Sequence, residues 1–132
     1  MTNKPLYVLL ASTLDAKKRC ATNGNSVWFE RLDDRITALV KEHMPSGSGF
    51  DSGTTLDEDR STVDRLVFIT SVHYMDESGC YDGWTEHTVT VRPSLVHGFH
   101  LTIGGRNRND IKDYIAEVFR QCLTIQTDYE EG

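Results

Sequence analysis

Several shortages in this sequence remove whole classes of protein. Cys20, Cys80 and Cys122 are its three cysteines, widely spaced and in no CxxC pair. Such spacing supports neither a disulfide framework nor a zinc knuckle, so reduced thiols in a cytosol are expected. The N-terminal apolar run, Leu6 to Leu10, is far too short to cross a bilayer and no small-residue cleavage pattern follows it. A soluble, intracellular protein with no membrane contact is therefore expected. Positive charge is short as well, with a formal balance of −6. That argues against broad phosphate-driven binding of nucleic acid, which needs a basic stripe, and leaves room only for a local basic patch.

Motifs that would carry chemistry are also missing. The glycines between Pro45 and Thr55 are followed by no Gly-Lys-Ser/Thr, and no strand precedes them, so a phosphate-binding loop fails on residues and context. Asp57, Glu58 and Asp59 lack the alternation and central glycine of a calcium loop. Cys80 and the serines have no companion histidine at a recognisable spacing, so nothing supports covalent catalysis. No catalytic residue, cofactor or metal is expected.

What remains suits one α+β domain over residues 1–132. A hydrophobic share of 38% and a charged share of 26% fit a globular chain with thin layers and sizeable loops. Leu6, Leu9, Leu10, Thr13, Leu14 and Cys20 keep helical spacing, with Pro5 as an early helical residue, until Asn23-Gly24-Asn25 stops the run. Ser26 can cap a second helix whose apolar side is Phe29, Leu32, Ile36, Leu39 and Val40, and His43 and Pro45 end it. The short link predicts an antiparallel helical hairpin.

A long Gly/Ser/Asp-rich loop then fills residues 45–64. Loops of this length are functional or mobile, so Asp51 and Asp57 are candidate partner-binding residues. Three strands follow, from Arg65 to Tyr74, from Trp84 to Arg92 and from Phe99 to Ile103, with a turn over Pro93 to Gly98. Matching apolar faces predicts Val91 opposite Phe99 and Val89 opposite Leu101. The last helix runs from Asn109, with Asp110 and Asp113 in its first turn and Ile111, Tyr114, Ile115, Val118, Phe119 and Cys122 on its buried face. Residues 126–132 form an acidic tail. The expected order is helix, helix, three-stranded antiparallel meander, helix, with the helices on one sheet face.

Three constellations are candidate sites. The far face of the meander carries Glu86, Thr88, Thr90, Arg92, His100 and Thr102, a polar row that matters if it is uncovered. Gly104, Gly105, Arg106, Arg108 and Asn109 offer amides, a helix N-terminus and two arginines to an anion such as a nucleotide or nucleic-acid phosphate. Tyr81 and Trp84, beside an acidic turn, suit a protein-binding hot spot. Among the histidines, His87 is in phase with Val89 and Val91 whereas His100 is out of phase with Phe99 and Leu101, so these two face opposite ways. Whether His73 meets His87 depends on the register of the first hairpin, which stays open. His100-Leu101-Thr102 resembles one half of the paired His-x-Thr motif of two-histidine phosphoesterases, but the second half is missing, since His87 is followed directly by Thr88.

The stretch Asp76-Glu77-Ser78-Gly79-Cys80-Tyr81-Asp82-Gly83-Trp84-Thr85-Glu86-His87, followed by Val91-Arg92-Pro93-Ser94-Leu95 and by Gly104 to Tyr114, resembles a family of small uncharacterised bacteriophage and prophage proteins. Pro45-Ser46-Gly47-Ser48-Gly49 and Leu9 to Asp15 extend the likeness over nearly the whole chain. The resemblance implies a setting, the bacterial host cytoplasm during phage gene expression, and transfers no catalytic residue. Together with the acidic charge and the long loop, it leads to the expectation of an accessory protein that binds a host or phage protein, perhaps to blunt a defence system. A small enzyme or ligand-binding protein using the polar sheet face, and a nucleic-acid module using Arg106 and Arg108, are the alternatives.

Overall fold

The computed structural model describes residues 2–47, 49–50, 53–75, 81–95, 98–105 and 109–129. In chain order the elements are β1 (Thr2–Pro5), α1 (Leu6–Asn23), α2 (Ser26–His43), β2 (Thr54–Leu56), β3 (Leu66–Met75), β4 (Tyr81–Ser94), β5 (Gly98–Gly105), α3 (Asn109–Thr124) and β6 (Gln126–Tyr129). The α+β character expected from the sequence is present, with three helices and antiparallel strand pairs among the described residues.

The helical hairpin forms where the Asn-Gly-Asn signal places it. Gly24 takes the left-handed conformation (φ 73°) that a residue with a Cβ resists, and the Asn25 amide donates to Cys20 O at 3.0 Å, closing the end of α1. Asn25 also begins α2, its side chain accepting from the Trp28 amide at 3.3 Å. The cap is thus Asn25 rather than Ser26, because Asn25 is the last residue outside the helix and its side chain reaches the third helical amide. Pro5 likewise stands outside α1, extended at the end of β1. The first amide of α1, on Leu6, finds its acceptor across the chain at Ile125 O, 2.9 Å away.

Four strands pair in the order β2-β3-β4-β5, so the expected meander gains an edge strand from within the 45–64 segment. Thr54, Thr55 and Leu56 pair with Thr70, Ile69 and Phe68. The stretch before β2 is also anchored: Gly49 O accepts the His73 amide at 2.8 Å, and the Thr54 hydroxyl donates to Pro45 O at 2.7 Å. Part of the expected acidic tail is strand as well, because β6 pairs with β1 and brings the two ends of the chain together.

The register of the second hairpin differs from the expected one by two residues. Val91 faces Leu101 and Val89 faces Ile103, where the apolar pattern had suggested Phe99 and Leu101. A shift of two keeps every side chain on its face, so periodicity alone cannot distinguish the two pairings. Loop length decides it: Pro93 and Ser94 stay in β4 opposite Phe99 and Gly98, and Gly98 takes a positive φ of 76° at the start of β5. Proline is tolerated there because pairing with β3 has already ended at Leu66 opposite Val91, and no third strand asks for its amide.

The core lies between this sheet and the helices. Leu66, Phe68 and Val72 of β3, Val89 and Val91 of β4 and Phe99 of β5 are buried with Leu6, Tyr7, Leu10 and Leu14 of α1, Ile36 and Val40 of α2, and Ile115, Phe119 and Leu123 of α3. Phe68 meets Phe119 edge-on, with ring centroids 5.6 Å apart, and Tyr7 packs on Phe99 at 5.2 Å. The Tyr7 hydroxyl is buried and its pKa is pushed up to about 12, first by burial and then by the charge of Asp64. Tyr114, expected on the buried face of α3, is exposed and stacks on Phe50 at 5.7 Å, since the helix faces inward along Ile115, Phe119 and Leu123.

Removal of the Phe119 ring should leave a cavity under Phe68 that the sheet cannot fill. Phe119→Ala is expected to lower the unfolding free energy by about 3–5 kcal/mol, read from the shift of the urea midpoint at unchanged m value.

Candidate functional site

Among the described residues a concave surface lies where α2 runs beside the edge strand β2. A groove of about 330 Å³ separates them, floored by Ile36, Val40 and Met44, walled by Thr54, Thr55 and Leu56, with Lys41 and Glu58 at its rim. A second hollow of about 470 Å³ lies on the other side of the same wall, between Leu56–Asp59 and Lys17, Lys18, Ala21 and Phe29. Leu56 and Glu58 border both. The strip from β2 into the acidic turn is therefore a ridge between two depressions.

That ridge is held by a set of polar contacts rather than by its own propensity. Lys17 is buried on α1, and its ammonium lies 2.5 Å from Asp33 Oδ1 on α2 and 2.7 Å from Glu58 Oε1. The Phe29 ring stands 4.9 Å from the same nitrogen. Burial disfavours this charge, but the two carboxylates more than offset it and hold the Lys17 pKa above its usual value. Ser61 is fully buried, its hydroxyl donating to Asp57 O at 2.6 Å and accepting the Val67 amide at 2.9 Å. The Asp57 amide donates to Val67 O at 2.8 Å, so the acidic turn is stitched to the start of β3. Lys18 Nζ donates to Ser61 O from the helix side.

The sequence candidates fall out as follows. Asp57 lies in this ridge, but both its oxygens are engaged by Arg60, through Nε at 2.6 Å and the amide at 3.3 Å, and that pairing holds its carboxyl below the usual range. Asp51 lies outside the described residues. On the outer sheet face Glu86, Arg92 and His100 are exposed, as is Thr102; Arg92 and His100 sit directly opposite each other on β4 and β5. Glu86 is well removed, opposite Ser71 on β3. Gly104 and Gly105 do not form a free turn, since they continue β5 opposite Thr88 and His87. Arg106 and Arg108 lie outside the described residues, and of Asn109 only its place at the start of α3 is described. Tyr81 and Trp84 belong to β4, opposite Met75 and His73, with their side chains outside the description.

The first hairpin register settles the histidines. Thr70 pairs with His87 and His73 with Trp84, so His73 and His87 face opposite sides of the sheet, as do His87 and His100. No group of three metal-ligating side chains converges among the described residues. His87 is fully buried, at the end of a polar row crossing the inner face from Thr54 through Thr70, whose hydroxyls are 3.0 Å apart. Its Nε2 lies 2.7 Å from the Thr85 hydroxyl, while Nδ1 has no hydrogen-bond partner among the described residues. Burial lowers the His87 pKa, the Gly104 backbone opposes this, and the charge of Lys112 adds to the lowering.

Lys17, Ser61 and the α2 side of the groove were not singled out by sequence reasoning. A lysine in phase with the buried residues Leu10 and Leu14 of α1 was the available signal. Comparison with known proteins gives no match, whether to a family model, a curated protein or a solved structure.

His87 makes stability depend on pH. A depressed pKa means that below about 6.5 the unfolded chain takes up a proton that the folded chain refuses, so stability present above that pH is lost as pH falls. Denaturation midpoints should be level from pH 8 to about 7 and decline before the carboxylates, near pH 4, begin to titrate. His87→Leu should flatten that first part of the decline.

Proposed function

We propose that the chain is a bacteriophage accessory protein that acts by binding a host or phage protein, with the groove between α2 and β2 as the docking site. The observation that carries this reading is the pairing of an apolar floor, Ile36, Val40 and Met44, with an edge strand only three residues long. A groove of about 330 Å³ is large enough to seat two or three apolar side chains of an extended segment. With β2 too short to template a partner strand, docking there rests on burying the segment's apolar side chains against this floor. The phage resemblance supplies the setting, and inhibition of a bacterial defence system is the role that best suits a small binder there. Arg92 and His100, exposed together on the outer face, are a second surface for contact with the same partner.

The test is capture of tagged protein from its bacterial host, with partners at near-equal amounts identified by mass spectrometry. Thr37→Arg and Lys41→Glu change bulk and charge at two exposed positions lining the groove. Each should weaken a captured protein's affinity at least tenfold at unchanged melting temperature. A partner held equally well by both variants, or the absence of any stoichiometric protein, would overturn the reading.

A further inference from the structure

The two edges of the sheet are treated differently. At one, β2 is three residues long, is flanked by α2 and leads into a turn carrying three carboxylates, all devices that discourage a second chain from pairing. At the other, β5 runs for eight residues, GFHLTIGG, with no proline, no lysine, no carboxylate and no bulge in its pairing with β4. No strand and no backbone hydrogen bond covers its outer side among the described residues. An uncharged, regular edge of this length is a pairing template, and leaving it open is the exception in natural sheets.

We infer that β5 pairs antiparallel with β5 of a second copy of this chain, making one eight-stranded sheet across a two-fold axis. A second copy suits this edge because GFHLTIGG has no Asp, Glu, Lys or Arg to repel its own copy and carries only apolar side chains on its helix face. With Leu101 on the axis, Phe99 meets Ile103 of the second copy and His100 meets Thr102, so apolar side chains meet apolar ones on the helix face and polar meet polar outside. The inner row then reads Val91, Leu101, Leu101, Val91 without interruption, using the register in which Val91 faces Leu101. Leu101 and Ile103 are half-buried in the single chain, and this pairing covers what remains. Charge does not oppose it. The outer row runs Arg92, His100, Thr102, Thr90, so the two Arg92 side chains lie in different rows about three strand spacings, ~14 Å, apart. At physiological salt that exceeds the screening length of about 8 Å. Isologous contact through one identical patch is also the commonest way for a chain to self-associate.

Sedimentation velocity on the full chain from about 1 to 100 µM tests this directly, since a dimer must appear by mass action. The expected result is a reversible dimer. Thr102→Lys and His100→Lys each add a charge at exposed edge positions, and each should raise the dimer dissociation constant at least tenfold without changing the circular dichroism spectrum. Thr55→Lys, at the opposite edge, should leave it unchanged. A wild-type chain that stays monomeric throughout overturns the inference, and so does a dimer indifferent to both β5 variants or broken by the β2 variant. Either of the two β5 variants decides the matter if the other fails to fold.

Discussion

The inner face of the sheet stacks Leu66 opposite Val91 and Phe68 opposite Val89, all four fully buried, and keeping them from water places every other element. An antiparallel sheet can leave one face solvated but must cover the other. Here the cover is a helical hairpin followed, after the meander, by α3, whose Phe119 stands edge-on to Phe68. The segment before α1 and the segment after α3 are also joined, by the β1–β6 ribbon and by the Leu6 amide on Ile125 O.

One-sided cover has a consequence at the sheet's margins. On the α2 side, helix and strand do not close fully, and the gap becomes the groove floored by Ile36 and Val40. The ridge bounding it stays in place through buried polar contacts, with Lys17 bridging Asp33 and Glu58 and Ser61 bridging Asp57 and Val67. Loss of Lys17 would leave Asp33 and Glu58 facing each other without a cation, and loss of the Ser61 hydroxyl would leave the Val67 amide without its acceptor. On the β5 side no comparable device is present among the described residues, so one margin of the sheet carries a groove and the other an uncharged edge of eight residues.

Much of this architecture was legible in the sequence where period and punctuation agree. The helical spacing of Leu6, Leu10 and Leu14, the Asn-Gly-Asn stop and the alternation of His87, Val89 and Val91 each state their element locally. What stayed hidden is long-range. Thr54-Thr55-Leu56 is too short for any period, and becomes a strand only because β3 offers an edge and Thr70 a hydroxyl partner. Thr2–Pro5 and Gln126–Tyr129 carry no alternation and pair across nearly the whole chain. The second hairpin was misplaced by two residues because Pro93 reads as a breaker, whereas the end of β3 at Leu66 makes it harmless. Asp57 was a candidate because it lies in the long 45–64 segment, but its engagement with Arg60 and the contacts of Lys17 required the fold.

The central claim is that residues 53–65, strand β2 and the hydrogen-bonded turns after it, are held fixed against the start of β3. Native-state hydrogen exchange followed residue by residue tests it most directly, because three particular amides are committed to these contacts: Asp57 to Val67 O, Val67 to the Ser61 hydroxyl, and Thr62 to Arg65 O. Protection of Asp57 and Val67 comparable to that of the β3–β4 ladder, with Val63 exchanging freely beside them, is the predicted pattern. Rapid exchange at Asp57 while Phe68 and Val89 remain protected would show that the ridge, and the groove it bounds, does not persist in solution.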